Sequence, residues 1–202
     1  MVKWLVKLAY TPWRSPRTQA ILLILLLIAT LIWAYFRVAN DAETHLAVLG
    51  AGLAATIAIW GVVNQWAISR RQLTIQFIRD LETDKEYAEA LALFNAAANS
   101  GNIKSYALSP PKSPKVYKEW VKTEAAIALI LNQQEIIAIG VGNSILDYRL
   151  LCAWFRTSYI KRYDRAKPYI DEIRTQTSTV TLFVEFERFA GRLKRDEVHV
   201  LT

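Results

Sequence analysis

Residues 46–68 read LAVLGAGLAATIAIWGVVNQWAI and contain no formally charged side chain. A helix buried in a soluble domain is seldom apolar on every face over such a length, whereas about 20 apolar residues suit a helix that crosses a bilayer. The stretch therefore predicts a transmembrane helix, and the lipid bilayer is the first partner that the sequence indicates.

A second apolar run lies upstream of this stretch. Residues 20–36 read AILLILLLIATLIWAYF, which at about 1.5 Å per helical residue nearly crosses a hydrocarbon core of roughly 30 Å. The intervening RVANDAETH, residues 37–45, is short and polar. Together the two runs predict a helical hairpin over residues 19–68. A cleaved signal peptide is the competing interpretation, but no small-residue cleavage site follows Phe36.

Basic residues mark one side of the predicted hairpin. The leader, residues 1–18, contains Lys and Arg before the first span, and Arg70 with Arg71 follow the second, whereas only Arg37 lies between the spans. Cytoplasmic flanks of membrane helices are enriched in such residues. The pattern predicts a protein of the bacterial inner membrane with both termini in the cytoplasm. The leader itself is either a helix in the membrane interface or a disordered tail.

Small residues recur at helical spacing along the second span. They are Gly50, Ala54, Ala58 and Gly61. Such a face lets another helix backbone approach closely. We expect the first span of the same chain to pack there, and the alternative is a contact between identical chains.

The remaining residues, 69–202, predict one cytoplasmic domain of five or six helices, so that the whole chain is all-α. Apolar residues continue at three- and four-residue spacing through Ile75 and Ile78, which extends the second span as one helix. Ser113 before Pro114 is a typical helix start, and this helix is expected to end near Leu131.

Capping boxes predict three further helix starts, because in each a short polar side chain precedes an acidic one by three residues. The pairs are Thr83 with Glu86, Asn132 with Glu135, and Ser144 with Asp147. Pro168 lacks an amide donor and predicts that the chain restarts there in a new turn. A last helix is expected from about residue 180 to Gly191. The preceding TQTSTVT, residues 175–181, could be helical or extended.

Three segments resemble a known family. They are RRQLTIQFI at 70–78, LNQQEIIAIGVGNSILD at 131–147 and KPYIDEIR at 167–174. They are similar to a bacterial and phage-associated family of small membrane-anchored proteins, catalogued as a domain of unknown function, with LNxxExxAxGV as the most specific pattern. The resemblance covers about residues 60–195. It implies a transmembrane anchor and a helical cytoplasmic domain but no activity, and some members associate with mobile elements and antiphage defence.

The polar residues of this motif are interpreted as structural. Asn132, Glu135, Ser144 and Asp147 are expected to cap helices rather than to bind a ligand. Gly140 and Gly142 resemble a phosphate-cradling turn, but the segment before them is helical rather than a strand. A corner between two helices is therefore the expected structure.

A group of cations forms the remaining candidate site. Its members are Arg156, Lys161, Arg162, Arg165 and Lys167, with Arg70 and Arg71 nearer the span. Each Lys or Arg held beside an anionic leaflet contributes about 1 kcal/mol, so these residues are candidate contacts for anionic lipid headgroups. Interleaved aromatic residues also suit nucleic acid. Basic residues that flank membrane spans account for the net charge of +7, so nucleic acid is not expected as a partner. The leading interpretation is a helix with its aromatic residues inward and its cations outward.

The sequence predicts no catalytic, cofactor or metal site. Cys152 lies in the apolar segment LLCAWF and is expected to be a buried, unreactive thiol, while His45 and His199 lack zinc-ligand spacing. We therefore expect a protein that is not an enzyme but a membrane-tethered interaction or effector domain, which self-associates or binds a protein partner. The alternative is an oligomeric membrane-perturbing or pore-forming effector in antiphage defence.

Overall fold

The computed structural model describes residues 28, 29, 32, 42–108 and 110–198. The leader and most of the first predicted span lie outside them. Throughout the described part, regular structure is helical, which confirms the all-α prediction. The elements are α1 (Ala42–Thr83), α2 (Lys85–Asn99), a 3-10 helix (Ile103–Ala107), α3 (Pro114–Gly142), α4 (Tyr148–Thr177) and α5 (Val184–Val198). The two-helix hairpin stays a prediction.

The chain divides into two compact units, one ending at Arg70 and the other beginning at Arg71. Helix α1 is unbroken through this division, which confirms the predicted continuation of the apolar stretch beyond residue 68. In the first unit, large apolar side chains of α1 such as Leu53, Ile57 and Trp60 are exposed.

The second unit is built around one apolar core. Helix α2 packs along α3, α5 packs against both α3 and α4, and the 3-10 helix packs on α4. At the centre, the Tyr159 ring meets the rings of Phe186 and Phe189 edge to face, with centroids 5.0 Å apart in each case. Such edge-to-face pairs add about 0.5–1.5 kcal/mol beyond the burial of their area. The core therefore joins α4 to α5 through aromatic contacts.

Helix α3 passes through Asn132 without a break, so the predicted helix start at Asn132 and Glu135 is wrong. Buried side chains occur on both sides of that position, including Ile130, Leu131 and Ile137. Burying each of these contributes roughly 1.5–3 kcal/mol, whereas a residue such as asparagine inside a helix costs at most about 0.7 kcal/mol relative to alanine. Packing therefore outweighs the local capping signal.

Pro168 lies inside α4, so the predicted restart there is also wrong. Proline in a helix interior costs about 3 kcal/mol. Its neighbours Ala166, Tyr169 and Ile170 are buried in the core, and their burial offsets this cost.

The last predicted helix was placed too early, since α5 begins at Val184 and ends at Val198. The segment TQTSTVT is neither wholly helical nor extended: α4 continues to Thr177, Ser178 has a left-handed backbone, and turns follow.

Aspartates cap two of the helices. The side chain of Asp84, rather than that of Thr83, accepts a hydrogen bond from the amide of Tyr87 at the start of α2. Asp147, rather than Ser144, is the N-cap of α4. The two capping boxes thus located helix starts closely but assigned the cap to the wrong side chain. Ser113 and Pro114 begin α3 as predicted.

Candidate functional site

Two helices in the described residues are long and apolar enough to cross a membrane: the Leu46–Thr83 part of α1, and α3. Only 6% of the most apolar window of α1 is buried, against 50% of that of α3. Half of that window of α3 is buried in the second unit, as expected for a core helix. The uncovered apolar side chains of α1 require another environment, because such surface is costly in water.

The small residues Gly50, Ala54, Ala58 and Gly61 all lie exposed on α1. No described atom lies within 4 Å of where a Cβ would stand on Gly50 or Gly61, so this face has room for a close helix contact. The first span, which we predict to pack there, lies outside the described residues. A contact between identical chains stays the alternative.

One face of α3 is turned away from the core and carries mainly apolar side chains. Leu129, Ile136 and Ile139 keep 37%, 54% and 42% of their surface exposed. Ala125 and Asn132, also exposed, complete the row. We call these five residues the α3 seam. Sequence reasoning missed it, because it treated Asn132 as the start of a new helix.

Glu135 follows the buried Gln134 on α3 and caps a different helix. Its two carboxylate oxygens accept hydrogen bonds from the amides of Glu185 and Phe186, at 3.2 and 2.6 Å, at the start of α5. A carboxylate at this position also interacts favourably with the positive end of the helix dipole. Glu135 therefore caps α5, whereas it was predicted to complete a capping box at the start of its own helix. Both of its oxygens accept a hydrogen bond from α5.

Gln134 is fully buried and joins three helices. Its side-chain amide donates to the Tyr87 hydroxyl at 3.3 Å, and its backbone carbonyl accepts from the Tyr159 hydroxyl at 2.8 Å. Arg162 Nη1 lies 3.4 Å from the Gln134 side-chain oxygen. Burial raises the pKa of both tyrosines above the ordinary value. This network is structural, and nothing in the local sequence marked Gln134 for it.

Asp147 anchors the start of α4 to α1. Its carboxylate accepts from the amides of Arg149 and Leu150, while its own amide donates to the buried Thr74 hydroxyl at 2.8 Å. Arg71 Nε lies 3.9 Å from the carboxylate. Asp147 therefore holds two elements of the second unit together.

The corner between α3 and α4 contains the two glycines and Ser144. The carbonyl of Gly140 accepts from the amides of Ile145 and Leu146, and a Cβ at Gly140 would stand 2.8 Å from a Leu146 methyl carbon. Ser144 has a φ of 59°, in the left-handed region. The close approach of Leu146 leaves no room for a side chain at position 140, which explains the glycine there. The segment that joins α3 to α4 is a helix–helix corner, as predicted.

The candidate lipid-binding cations of α4 do not share one face. At 100° per residue, Lys161 and Arg165 lie on the side opposite Arg156 and Lys167. Arg156 donates to the Leu193 carbonyl, and Lys167 pairs with Asp171. Arg165 also donates to Asn95, and Arg70 lies over the Trp66 ring. Much of this charge is held within its own unit, and lipid contact stays a prediction.

Two polar clusters were not anticipated. Tyr163 and Arg174 both donate to the Glu187 carboxylate, at 2.9 Å each. Burial acts to raise the pKa of Glu187, but these hydrogen bonds hold it below its usual value. A shallow depression beside α4 pairs Lys104 with Glu172 and Lys167 with Asp171, so its charges largely satisfy one another.

The described residues give little support to a catalytic site. Cys152 is half-buried, and burial raises the pKa of its thiol, which disfavours the nucleophilic thiolate. Among the side chains that the structure describes, no three His, Cys, Asp or Glu residues are grouped to hold a metal ion.

Comparison with known proteins gives one match. The profile of a domain of unknown function, DUF4760, matches residues 48–193. Those residues include most of the apolar part of α1 together with nearly all of the second unit. No curated protein and no solved structure matches the chain.

Proposed function

We propose that this chain, which belongs to the DUF4760 family of domains of unknown function, is a membrane-anchored protein whose helical domain works by binding proteins at the cytoplasmic face. The observation that carries the proposal is helix α1. Its apolar half is uncovered, and the same helix enters the second unit without a break. An apolar helix left uncovered in this way suits a bilayer better than water.

The second unit supports an interaction role through the α3 seam. Its polar residues Gln134, Glu135 and Asp147 are all engaged in holding helices together. The seam, by contrast, leaves large apolar side chains exposed on a helix whose opposite face is buried in the core. Exposed apolar surface on a rigid element is typical of a protein-binding site.

Site-specific photo-crosslinking in living cells tests this role. A photoreactive amino acid at Ile136 of the full chain should give a crosslinked protein product after illumination. The same amino acid at Lys161, exposed on α4, is the matched control. Products at Ile136 but not at Lys161 would support the proposal. An absence of protein products at Ile136 in cells that retain the full-length chain would contradict it.

A further inference from the structure

We propose that a second copy of this chain covers the α3 seam, in a symmetric contact centred on Asn132. The inference rests on the proposed function and names the partner of its interaction surface. Its first support is spacing: Ala125, Leu129, Asn132, Ile136 and Ile139 follow one another at alternating intervals of four and three residues. This is the spacing by which one helix packs along another in a coiled coil.

The charge around the seam favours an identical partner. Between Ala125 and Leu146 the chain has one ionisable residue, Glu135, and its carboxylate is occupied by the amides of α5. Residues that flank such a seam commonly select partners by their charge. Here the flanking Ala128, Gln133 and Gly140 are uncharged. A charged partner would find no complement on this part of α3, whereas two copies bring uncharged helix surfaces together.

Asn132 occupies the middle of the seam, with two residues of the row on each side. An asparagine amide is both donor and acceptor, so two copies of Asn132 can hydrogen-bond to each other. A single asparagine in an apolar helix seam is known to fix register and oligomeric state in this way. In a symmetric contact the same residue meets its own copy at the axis. The seam is therefore complementary to itself.

A lipid surface is a poorer occupant. Helices that lie in a membrane interface border their apolar face with Lys and Arg. The cations of α3 nearest to the seam, Lys118 and Lys122, both precede it, and none lies beside Leu129, Ile136 or Ile139 on this helix. The amide of Asn132 would also enter the apolar boundary without a partner.

The small size of the seam indicates the conditions under which two copies should pair. From Ala125 to Ile139 it extends about 21 Å at 1.5 Å per residue. A contact between two helices of this length is smaller than the roughly 800 Å² per partner of a standard stable interface. Confining both copies to one membrane raises their effective concentration and compensates for this. We therefore expect a dimer in the membrane that dissociates on dilution in detergent.

Cysteine crosslinking in native membranes tests the pairing. In the full chain, Cys152→Ser removes the native thiol and Asn132→Cys places one at the centre of the seam. Lys161→Cys, exposed on α4, is the matched control. Mild oxidation should convert most of the Asn132→Cys chain, and at least fivefold less of the control, to a disulfide-linked dimer. Adding Ile136→Glu, at an exposed position, should reduce the dimer at least fivefold while the protein level is unchanged.

The possible outcomes separate this inference from the proposed function. Equal crosslinking at both positions, no dimer at Asn132→Cys, or a dimer unaffected by Ile136→Glu would overturn the self-pairing. A photo-crosslink from Ile136 to a different protein would overturn it too, yet would leave the interaction role standing. Because the disulfide is read in whichever fraction contains the chain, a failure of membrane anchoring would not prevent the measurement.

Discussion

Helices α1 and α3 are both long and apolar enough to cross a membrane. They differ in what covers them. Large apolar side chains of α1 such as Leu53, Ile57 and Trp60 are exposed, whereas α3 buries one face against α2 and α5 and leaves the seam exposed. The difference teaches that apolar length alone does not distinguish a membrane span from a core helix. What distinguishes α3 is that neighbouring helices cover one of its faces.

The largest expected effect concerns α1 as a membrane span. An arginine near the centre of a span costs about 2.5–3.5 kcal/mol, so Leu53→Arg with Ile57→Arg should prevent the second span from inserting. If the first span still inserts, the C-terminal domain is then carried across the membrane. A C-terminal phosphatase reporter, active only outside the cytoplasm, should change from inactive to active.

The matched control places the same charges on α3. Leu129→Arg with Ile136→Arg alters two exposed seam residues and should leave the reporter inactive. If the α1 variant also left it inactive although the first span had inserted, α1 would not be the second span. If the α3 variant activated it, α3 would have to cross the membrane.

The next largest effect separates the two faces of α3. Ile130→Ala removes a fully buried side chain and should lower the free energy of unfolding by about 2–5 kcal/mol. Ile136→Ala, at a position 54% exposed, should change it by less than about 0.5 kcal/mol. Thermal unfolding of the full chain in mild detergent measures both. Similar losses at the two positions would mean that the seam is covered within the monomer.

A smaller effect is expected at Glu135, where α3 caps α5. Glu135→Ala leaves two amides of α5 without their acceptor and should cost about 1–2 kcal/mol. Glu135→Gln retains one acceptor oxygen and should cost less. Asn132→Ala changes another residue of the LNxxExxAxGV pattern, on the exposed side of α3, and serves as the control. It should have little effect on the stability of the monomeric protein. Equal stability of Glu135→Ala and the unaltered chain would remove the capping role.

The smallest expected effects concern two glycines at the end of α3. Gly140→Ala forces the buried Leu146 to move, which should destabilise the fold by about 1 kcal/mol. Gly142→Ala meets no atom within 4 Å and replaces glycine by a better helix former, so stability should rise by a few tenths of a kcal/mol. Melting temperatures should therefore shift in opposite directions. A shift in the same direction would contradict the close contact with Leu146.

The periodic and compositional signals predicted the helices well. Spacing at Ile75 and Ile78 predicted the continuation of α1, and Ser113 with Pro114 predicted the start of α3. Cap signals were less reliable, because they compete with packing. At Asn132 the local signal was overridden by burial on the opposite face of the helix.

The role of Glu135 could be inferred only in part from sequence. Before α5 stand Leu182 and Phe183, neither of which can cap a helix, so an acceptor from elsewhere was required. Nothing local identifies that acceptor, which lies 50 residues away along the chain. Gln134 poses the same problem, since its partners Tyr87 and Tyr159 come from α2 and α4.

By itself, the sequence determined that the described part of this chain is helical and that α1 is apolar over a membrane-spanning length. Both properties depend on neighbours within a few turns of one helix. Only the tertiary structure decided that α3 is half covered, that Glu135 serves α5, and that the α3 seam faces outward. Burial and capping partners come from segments distant along the chain, and no local pattern records which segments will meet.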